Sequence, residues 1–315
     1  MPLDPHAKRL LNMLAAGGGD ASQPLEVARL RKSFADLADL MDDRGAVVGA
    51  VESFDIPTKA GSLTMRRYQP ADLAPDAALT PALLYLHGGA WVFCDLDTHD
   101  GLCRALCQNG NLQVFAAGYR QAPEHKFPAP MEDATASLAW LVAHAGEFGV
   151  DARRIAIGGD SAGATLAIGA CLAALAAAQP VPALQLLLCP KTDVAGRAPS
   201  RAAFATGYFL EDATIAWAVA QLCPEGTDLS DWRLSPLRAP SLQGMPPTMI
   251  HTAEFDPLRD EGHAFADRLR DAGVPVEVTC HAGLIHHFYG LTRAIPKARD
   301  AVKTIGARLG ERLRA

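Results

Sequence analysis

A serine hydroxyl attacks a carbonyl when a neighbouring base takes its proton, a third group orients that base, and hydrogen-bond donors receive the oxyanion. The chain carries a residue type for each task. Gly159-Asp160-Ser161-Ala162-Gly163 sets a serine between glycines, which leaves room for a sharp turn that lifts the hydroxyl clear of the backbone. Ala162 then opens a helix-like run, where unpartnered N–H groups favour anionic charge. His87-Gly88-Gly89-Ala90-Trp91 offers a second set of N–H groups among small residues. Asp256 follows a strand-like run and precedes Pro257, whereas Asp260 and Glu261 read as solvated carboxylates of a helix first turn. His286 and His287 stand together after the last strand-like run. Singly, each has a plainer reading: a chance pentapeptide, a glycine turn, a surface histidine pair. Together, in the order nucleophile, acid, base, they point to acyl transfer.

Such groups meet only if separate strands deliver them to one edge of a sheet. Ile155 to Gly158 reads as a buried strand entering the serine turn, and Ala162 to Ala178 as a buried helix leaving it. Further strands are predicted at 46–54, 63–68, 82–86, 113–117, 184–189, 248–253 and 276–281, with helices near 97–108, 131–144, 260–271 and 292–313. That alternation predicts an α/β domain with a mainly parallel sheet. Leu25, Val27, Leu30, Phe34, Leu37 and Leu40 recur mostly at helical spacing within residues 1–45. Gly17-Gly18-Gly19 interrupts them as a turn; with no strand before it and no Lys-Ser/Thr after it, it is not a phosphate loop. Residues 195–240 break the rhythm with Phe204, Tyr208, Phe209, Trp217 and Trp232 between Pro and Gly, and read as an inserted lid.

Composition narrows the class. The 315 residues are 49% hydrophobic, enough for one large core. A net charge of −6 without a long Lys/Arg run argues against a nucleic-acid partner. The run 8–16 imitates a leader, but Asn12 breaks it and an amphipathic helix fits better; no membrane association is expected. Seven scattered cysteines complete no metal motif and read as reduced thiols in the cytoplasm.

The chain resembles the bacterial esterases of the hormone-sensitive-lipase family, family IV of the lipolytic enzymes. The resemblance covers nearly the whole length. It is carried by His87-Gly88-Gly89-Ala90-Trp91, the run 95–100, Tyr119-Arg120-Gln121-Ala122-Pro123-Glu124-His125, Gly159-Asp160-Ser161-Ala162-Gly163, the run 256–261 and Gly283-Leu284-Ile285-His286. It implies an α/β-hydrolase fold: an eight-stranded, mainly parallel sheet flanked by helices, with a two-part helical cap. The catalytic domain would be 46–194 with 241–315, and the cap 1–45 with 195–240. It implies Ser161 as nucleophile, Asp256 as acid and His286 as base, with oxyanion N–H groups from Gly88, Gly89, Ala90 and Ala162. No metal or organic cofactor is implied. Family register, three residues after Gly283 and two before Phe288, selects His286 over His287.

The chain departs from the family at Ala90 and Cys94, where glycines are usual, at Gly118 and Gln121, and at His287, which replaces a glycine. Ala90 fits easily only if its φ is negative. The expected substrates are carboxylic esters of short to medium acyl chain, with Trp91, Asp160, Tyr208, Phe209, Leu210, His287 and Phe288 as candidate pocket residues. Amide, lactone or sugar-acetate hydrolysis would use the same triad, and a non-catalytic binding role would not need all three groups. The last strand, at 275–281, carries one charge and little else to block edge pairing, so a homodimer through it is expected.

Overall fold

The computed structural model describes residues 2–17, 25–71 and 79–315. Gly18 and Gly19 of the predicted turn lie outside the described residues. Two N-terminal helices, α1 (Pro5–Gly17) and α2 (Val27–Met41), precede a β-hairpin of β1 (Ala50–Thr58) and β2 (Gly61–Gln69). Then come β3 (Thr80–Leu86), α3 (Asp100–Gly110), β4 (Gln113–Ala117), α4 (Ala129–His144), β5 (Val150–Asp160), α5 (Ala162–Ala176) and β6 (Leu184–Leu188). The insertion carries α6 (Pro199–Ala203) and α7 (Asp212–Leu222), and the chain closes with β7 (Thr248–Phe255), α8 (Arg259–Asp271), β8 (Val276–Ile285) and α9 (Pro296–Arg314).

The eight strands form one sheet in the order β1-β2-β4-β3-β5-β6-β7-β8. β2 runs antiparallel to both neighbours and all other pairs are parallel. Side chains of the central strands alternate between two apolar layers, as strand geometry requires. Ala82, Leu84 and Leu86 face the layer shared with α4, α5 and α8, while Leu83 and Tyr85 face the layer shared with α3 and α9. Burial on both faces is the mark of a parallel sheet covered by helices.

Several element ends differ from the sequence reading. β1 starts four residues later than predicted, because the two-residue turn at Lys59-Ala60 pairs Thr58 with Gly61 and sets the hairpin register. β8 runs on to Ile285 past an irregularity that restores pairing at Phe255–Ile285, so the strand ends directly at His286. α9 begins only at Pro296, whose fixed φ suits a first helical turn and whose missing N–H costs nothing there.

Candidate active site

Ser161 sits at the sharp turn between β5 and α5 with φ 51° and ψ −115°, a strained backbone for a residue bearing a side chain. Two glycines make that turn possible. A Cβ on Gly163 would lie 2.0 Å from the Leu86 carbonyl oxygen, and one on Gly159 would lie 2.5 Å from the same atom. Hydrogen bonds hold the turn on the β6 side: the Ser161 N–H donates to the Leu188 carbonyl (2.9 Å), and the Lys191 N–H donates to the Ser161 carbonyl (3.1 Å).

The other two groups arrive from the ends of β7 and β8. His286 Nε2 lies 3.2 Å from Ser161 Oγ, and His286 Nδ1 lies 2.8 Å from Asp256 Oδ2. Asp256 is fully buried, and its other oxygen accepts the Leu258 N–H at 2.8 Å. A fixed carboxylate on Nδ1 leaves Nε2 as the lone-pair nitrogen facing the hydroxyl, the tautomer that base catalysis needs.

Neither Asp260 nor Glu261 is the solvated carboxylate that their positions suggested. Asp260 accepts the Ser200 N–H (2.8 Å) and ties α6 to α8. Glu261 is buried and pairs with the buried Lys191 ammonium (2.8 Å) while accepting the Thr192 N–H (2.6 Å). Lys191 also accepts the Thr165 hydroxyl of α5 on its carbonyl (2.6 Å). One buried ion pair therefore links the serine turn to the helix that follows Asp256.

Of the predicted oxyanion donors, Gly88 is removed. Its N–H donates to Asp160 Oδ1 at 2.9 Å, so it is not available to a ligand. The N–H groups of Gly89 and Ala90 take no acceptor among the described residues. That of Ala162 is the first of its helix and has no intrahelical partner. Ala90 has φ 52°, not the negative value that would make alanine an easy replacement, and Trp91 (62°) and Cys94 (64°) share the left-handed region. The loop holds this shape through the Val92 and Phe93 N–H groups, both donating to the Gly89 carbonyl at 2.9 Å, and through Gln121 Nε2, which donates to the Cys94 carbonyl at 2.7 Å.

Asp160 braces the turn from beneath. Its buried carboxylate accepts the Tyr85 hydroxyl (2.7 Å) and the Gly88 N–H, and lies 3.2 Å from His99 Nε2. Burial alone would raise its pKa, but the His99 charge and the hydrogen bonds from His99 and Tyr85 hold it below the usual carboxylate range. Burial works equally against a charged His99, yet Asp160 keeps the pKa of His99 above its ordinary value. His87 stacks on Tyr119 with ring centres 4.3 Å apart and approaches the Gly88 carbonyl through Nδ1 (2.7 Å), while burial pulls its pKa down to about 4. It is neutral at pH 7 and shapes the loop.

These groups line a cavity of about 280 Å³ over Ser161. Asp160, Phe209, Leu210 and His287 reach it as pocket residues, together with His286, Gly89 and Ala90. Three predicted pocket residues do not. Trp91 turns into the core because of its left-handed backbone, Tyr208 stacks flat on Phe255 (5.6 Å), and Phe288 is buried against His281 and Tyr289. Leu30 and Phe34 of α2, Phe93, Cys94, Glu211, Thr214 and Tyr289 complete the wall and were not among the pocket residues expected from the sequence. The helical spacing of Leu30 and Phe34 marked a buried face, but not what it covers.

His287 makes no hydrogen bond to Ser161, whose hydroxyl is met by His286. Its ring lies parallel to Phe209 (5.6 Å) and edge-on to Phe34 (6.2 Å), and its φ of 64° explains why glycine is an easy occupant of the position. Burial lowers its pKa to about 3, so the ring is neutral.

Residues 83–290 match a family described by the α/β-hydrolase fold. The carboxylic ester hydrolase LipN of Mycobacterium tuberculosis is 43% identical over 247 residues, covering 76% of this chain and 65% of that protein. The ethyl acetate hydrolase of Pseudomonas putida is 35% identical over 321 residues, covering 99% of this chain and all of that one. Among solved structures, an α/β-hydrolase enzyme from the metagenome of Lake Arreo, Spain, superposes with a TM-score of 0.95 at 39% identity and 99% coverage of both chains.

Proposed function

We propose, from the premise that the chain belongs to the α/β-hydrolase fold family and is a carboxylic ester hydrolase, that it cleaves esters of short to medium acyl chain through an acyl-enzyme on Ser161. One observation carries the residue assignment. Ser161 Oγ faces a cavity while within 3.2 Å of a histidine nitrogen whose other nitrogen is held by a buried carboxylate.

As Oγ bonds to the carbonyl carbon, its proton passes to His286 Nε2. Asp256 stabilises the resulting imidazolium. The N–H groups of Ala162 and of Gly89 or Ala90 receive the oxyanion. Collapse of the tetrahedral adduct breaks the ester C–O bond, and His286 returns its proton to the departing alcohol. Water, activated by the same nitrogen, then releases the acid and restores the serine.

The size of the cavity supports small substrates. At about 280 Å³ it falls just below the usual range of about 300–1,000 Å³ for ligand pockets. A p-nitrophenyl ester series tests this reading. Acetate, butyrate and octanoate should be turned over faster than palmitate, because each further CH₂ contributes about 0.8 kcal/mol only where there is room to bury it. A preference for palmitate or emulsified triglyceride would overturn it.

The cap is part of this proposal. α2 and the 195–240 insertion supply apolar wall to the cavity, whereas Ala7 and Leu10 of α1 are buried in the apolar layer shared with α3 and α9, on the far face of the sheet. Seven unpaired thiols support a reducing, cytoplasmic setting, and among the described residues no helix is long and apolar enough to cross a membrane. The free edge of β8 supports a homodimer; Val278→Lys should then halve the mass measured by light scattering, and a wild-type monomer would refute it.

A further inference from the structure

We propose that His99, Asp160 and His287 form a binding site for a divalent transition-metal ion of the zinc type, and that an ion held there blocks the ester cavity. The blocking role rests on the reading of that cavity as the active site; the ion site itself does not.

The donor set is two imidazoles and a carboxylate, and their ligand atoms all lie within 4.8 Å of one another. His99 Nε2 stands 3.2 and 3.4 Å from the two Asp160 oxygens, close to the separation of about 3.3–3.5 Å between two ligands of one tetrahedral ion with bonds of about 2.0–2.2 Å. Two of the three ligands are already oriented from behind. Thr98 Oγ1 lies 3.0 Å from His99 Nδ1, which turns Nε2 toward Asp160. Tyr85 and Gly88 both donate to Asp160 Oδ1, which leaves Oδ2 for an ion. Outer partners of this kind fix ligand geometry in metal sites.

His287 supplies the third ligand. Its ring is packed by Phe209 and Phe34 and carries no hydrogen bond to another described residue, so a ring nitrogen is open to an ion. Its ring centre is 5.9 Å from that of His99. Asp160 and His287 line the same cavity as Ser161, so the substrate's route serves the ion and the fourth coordination position opens toward the cavity. The bound ion takes the place of the proton shared by His99 and Asp160, which leaves to solvent. A second cluster of similar size, Cys189 with Asp256 and His286, is less suited, because both nitrogens of His286 are already engaged.

Titration calorimetry of the full chain with zinc chloride tests the site directly. One ion should bind per chain, and the same titration followed by p-nitrophenyl butyrate hydrolysis should show loss of rate that EDTA reverses. His287→Asn, which tolerates the left-handed backbone, should weaken zinc binding by about 100-fold or more, at or above the upper end of what loss of an outer partner costs. His287→Gly should do the same, so a folding defect in one variant does not remove the test. His281→Asn should leave the affinity unchanged, although His281 and His251 form another histidine pair at 3.1 Å. Absence of saturable zinc binding, retention of affinity in both His287 variants, or equal loss in His281→Asn would each overturn the site. Zinc binding with no esterase rate at all would instead count against the hydrolase reading.

Discussion

The floor and the roof of the cavity are held by different forces. The floor is made from the ends of β3, β5, β7 and β8, where hydrogen bonds and buried charges fix each group: Asp256 on His286, Asp160 on Tyr85 and Gly88, Lys191 on Glu261. The roof is made from α2 and the insertion, and its inner surface is apolar contact: Phe34 on Phe93 at 4.4 Å, Phe209 on His287 at 5.6 Å. Its polar anchors lie at its margins. Arg31 forks to Glu124 (2.8 Å) and donates to the Val92 carbonyl (2.9 Å), and Arg238 pairs with Asp193 (2.8 Å). The floor tolerates little displacement, since a hydrogen bond is lost within an ångström, whereas apolar contacts slide and refill. On the proposed function, chemistry belongs to the hydrogen-bonded half and substrate shape to the apolar half.

The largest effects should follow from breaking the floor. Ser161→Ala and His286→Ala should each lower kcat by roughly 10³-fold or more with the fold intact, and Asp256→Asn by a similar factor, whereas His287→Gly and Asp260→Asn should be far milder. Activity surviving His286→Ala but abolished in His287→Ala would reverse the assignment of the base.

Glu261→Gln is the next test, because it strands the Lys191 ammonium in the interior. It should cost about 3–5 kcal/mol of stability, read from the urea midpoint, and lower kcat through the serine turn while leaving KM near its original value. Unchanged stability would mean that the pair does not brace the floor.

Acid should weaken the fold through histidines that the folded chain keeps neutral. Burial, and the His99 charge beside it, hold His87 near pKa 4; burial also holds His281 near 4 and, with His281 alongside, His251 near 3. In the unfolded chain they titrate near 6.5, so between about pH 6.5 and 4 the unfolded state binds more protons. The stability they contribute is present above pH 6.5 and lost as the pH falls, by up to about 1.4 kcal/mol per pH unit for each histidine. Urea midpoints at pH 7.5, 6 and 5 should decline in that order; a flat profile would contradict the burial.

The smallest effect belongs to the roof. Phe34→Ala should shift the chain-length preference upward by roughly fourfold per accommodated CH₂, the rate equivalent of about 0.8 kcal/mol, without changing the serine chemistry. A uniform loss across all acyl lengths would place Phe34 with the floor instead.

The floor was also the more legible half. Ile155 to Gly158, Thr248 to Ala253 and Val276 to His281 announce strands by composition, and polar residues beyond their ends draw attention to Ser161, Asp256 and His286. What the sequence hid are side-chain directions and distant pairings. Trp91, Tyr208 and Phe288 looked like pocket aromatics, but left-handed backbone or stacking turns them elsewhere. Gly88 looked like an oxyanion donor until Asp160, 72 residues later, accepted its N–H. Glu261 looked solvated because Lys191 lies 70 residues before it. Arg31 and Glu124 are 93 residues apart, and no local pattern connects them.

The proposed chemistry stands on Ser161 as nucleophile, activated by His286. Treatment with diethyl p-nitrophenyl phosphate, followed by peptide mass spectrometry, tests it most directly. A serine activated in this way displaces p-nitrophenol and keeps the diethylphosphoryl group. One such group per chain is expected, on Ser161, formed in step with the loss of esterase activity and absent from His286→Ala over the same interval. Inactivation with the label on another residue, or undiminished labelling of Ser161 in His286→Ala, would contradict it.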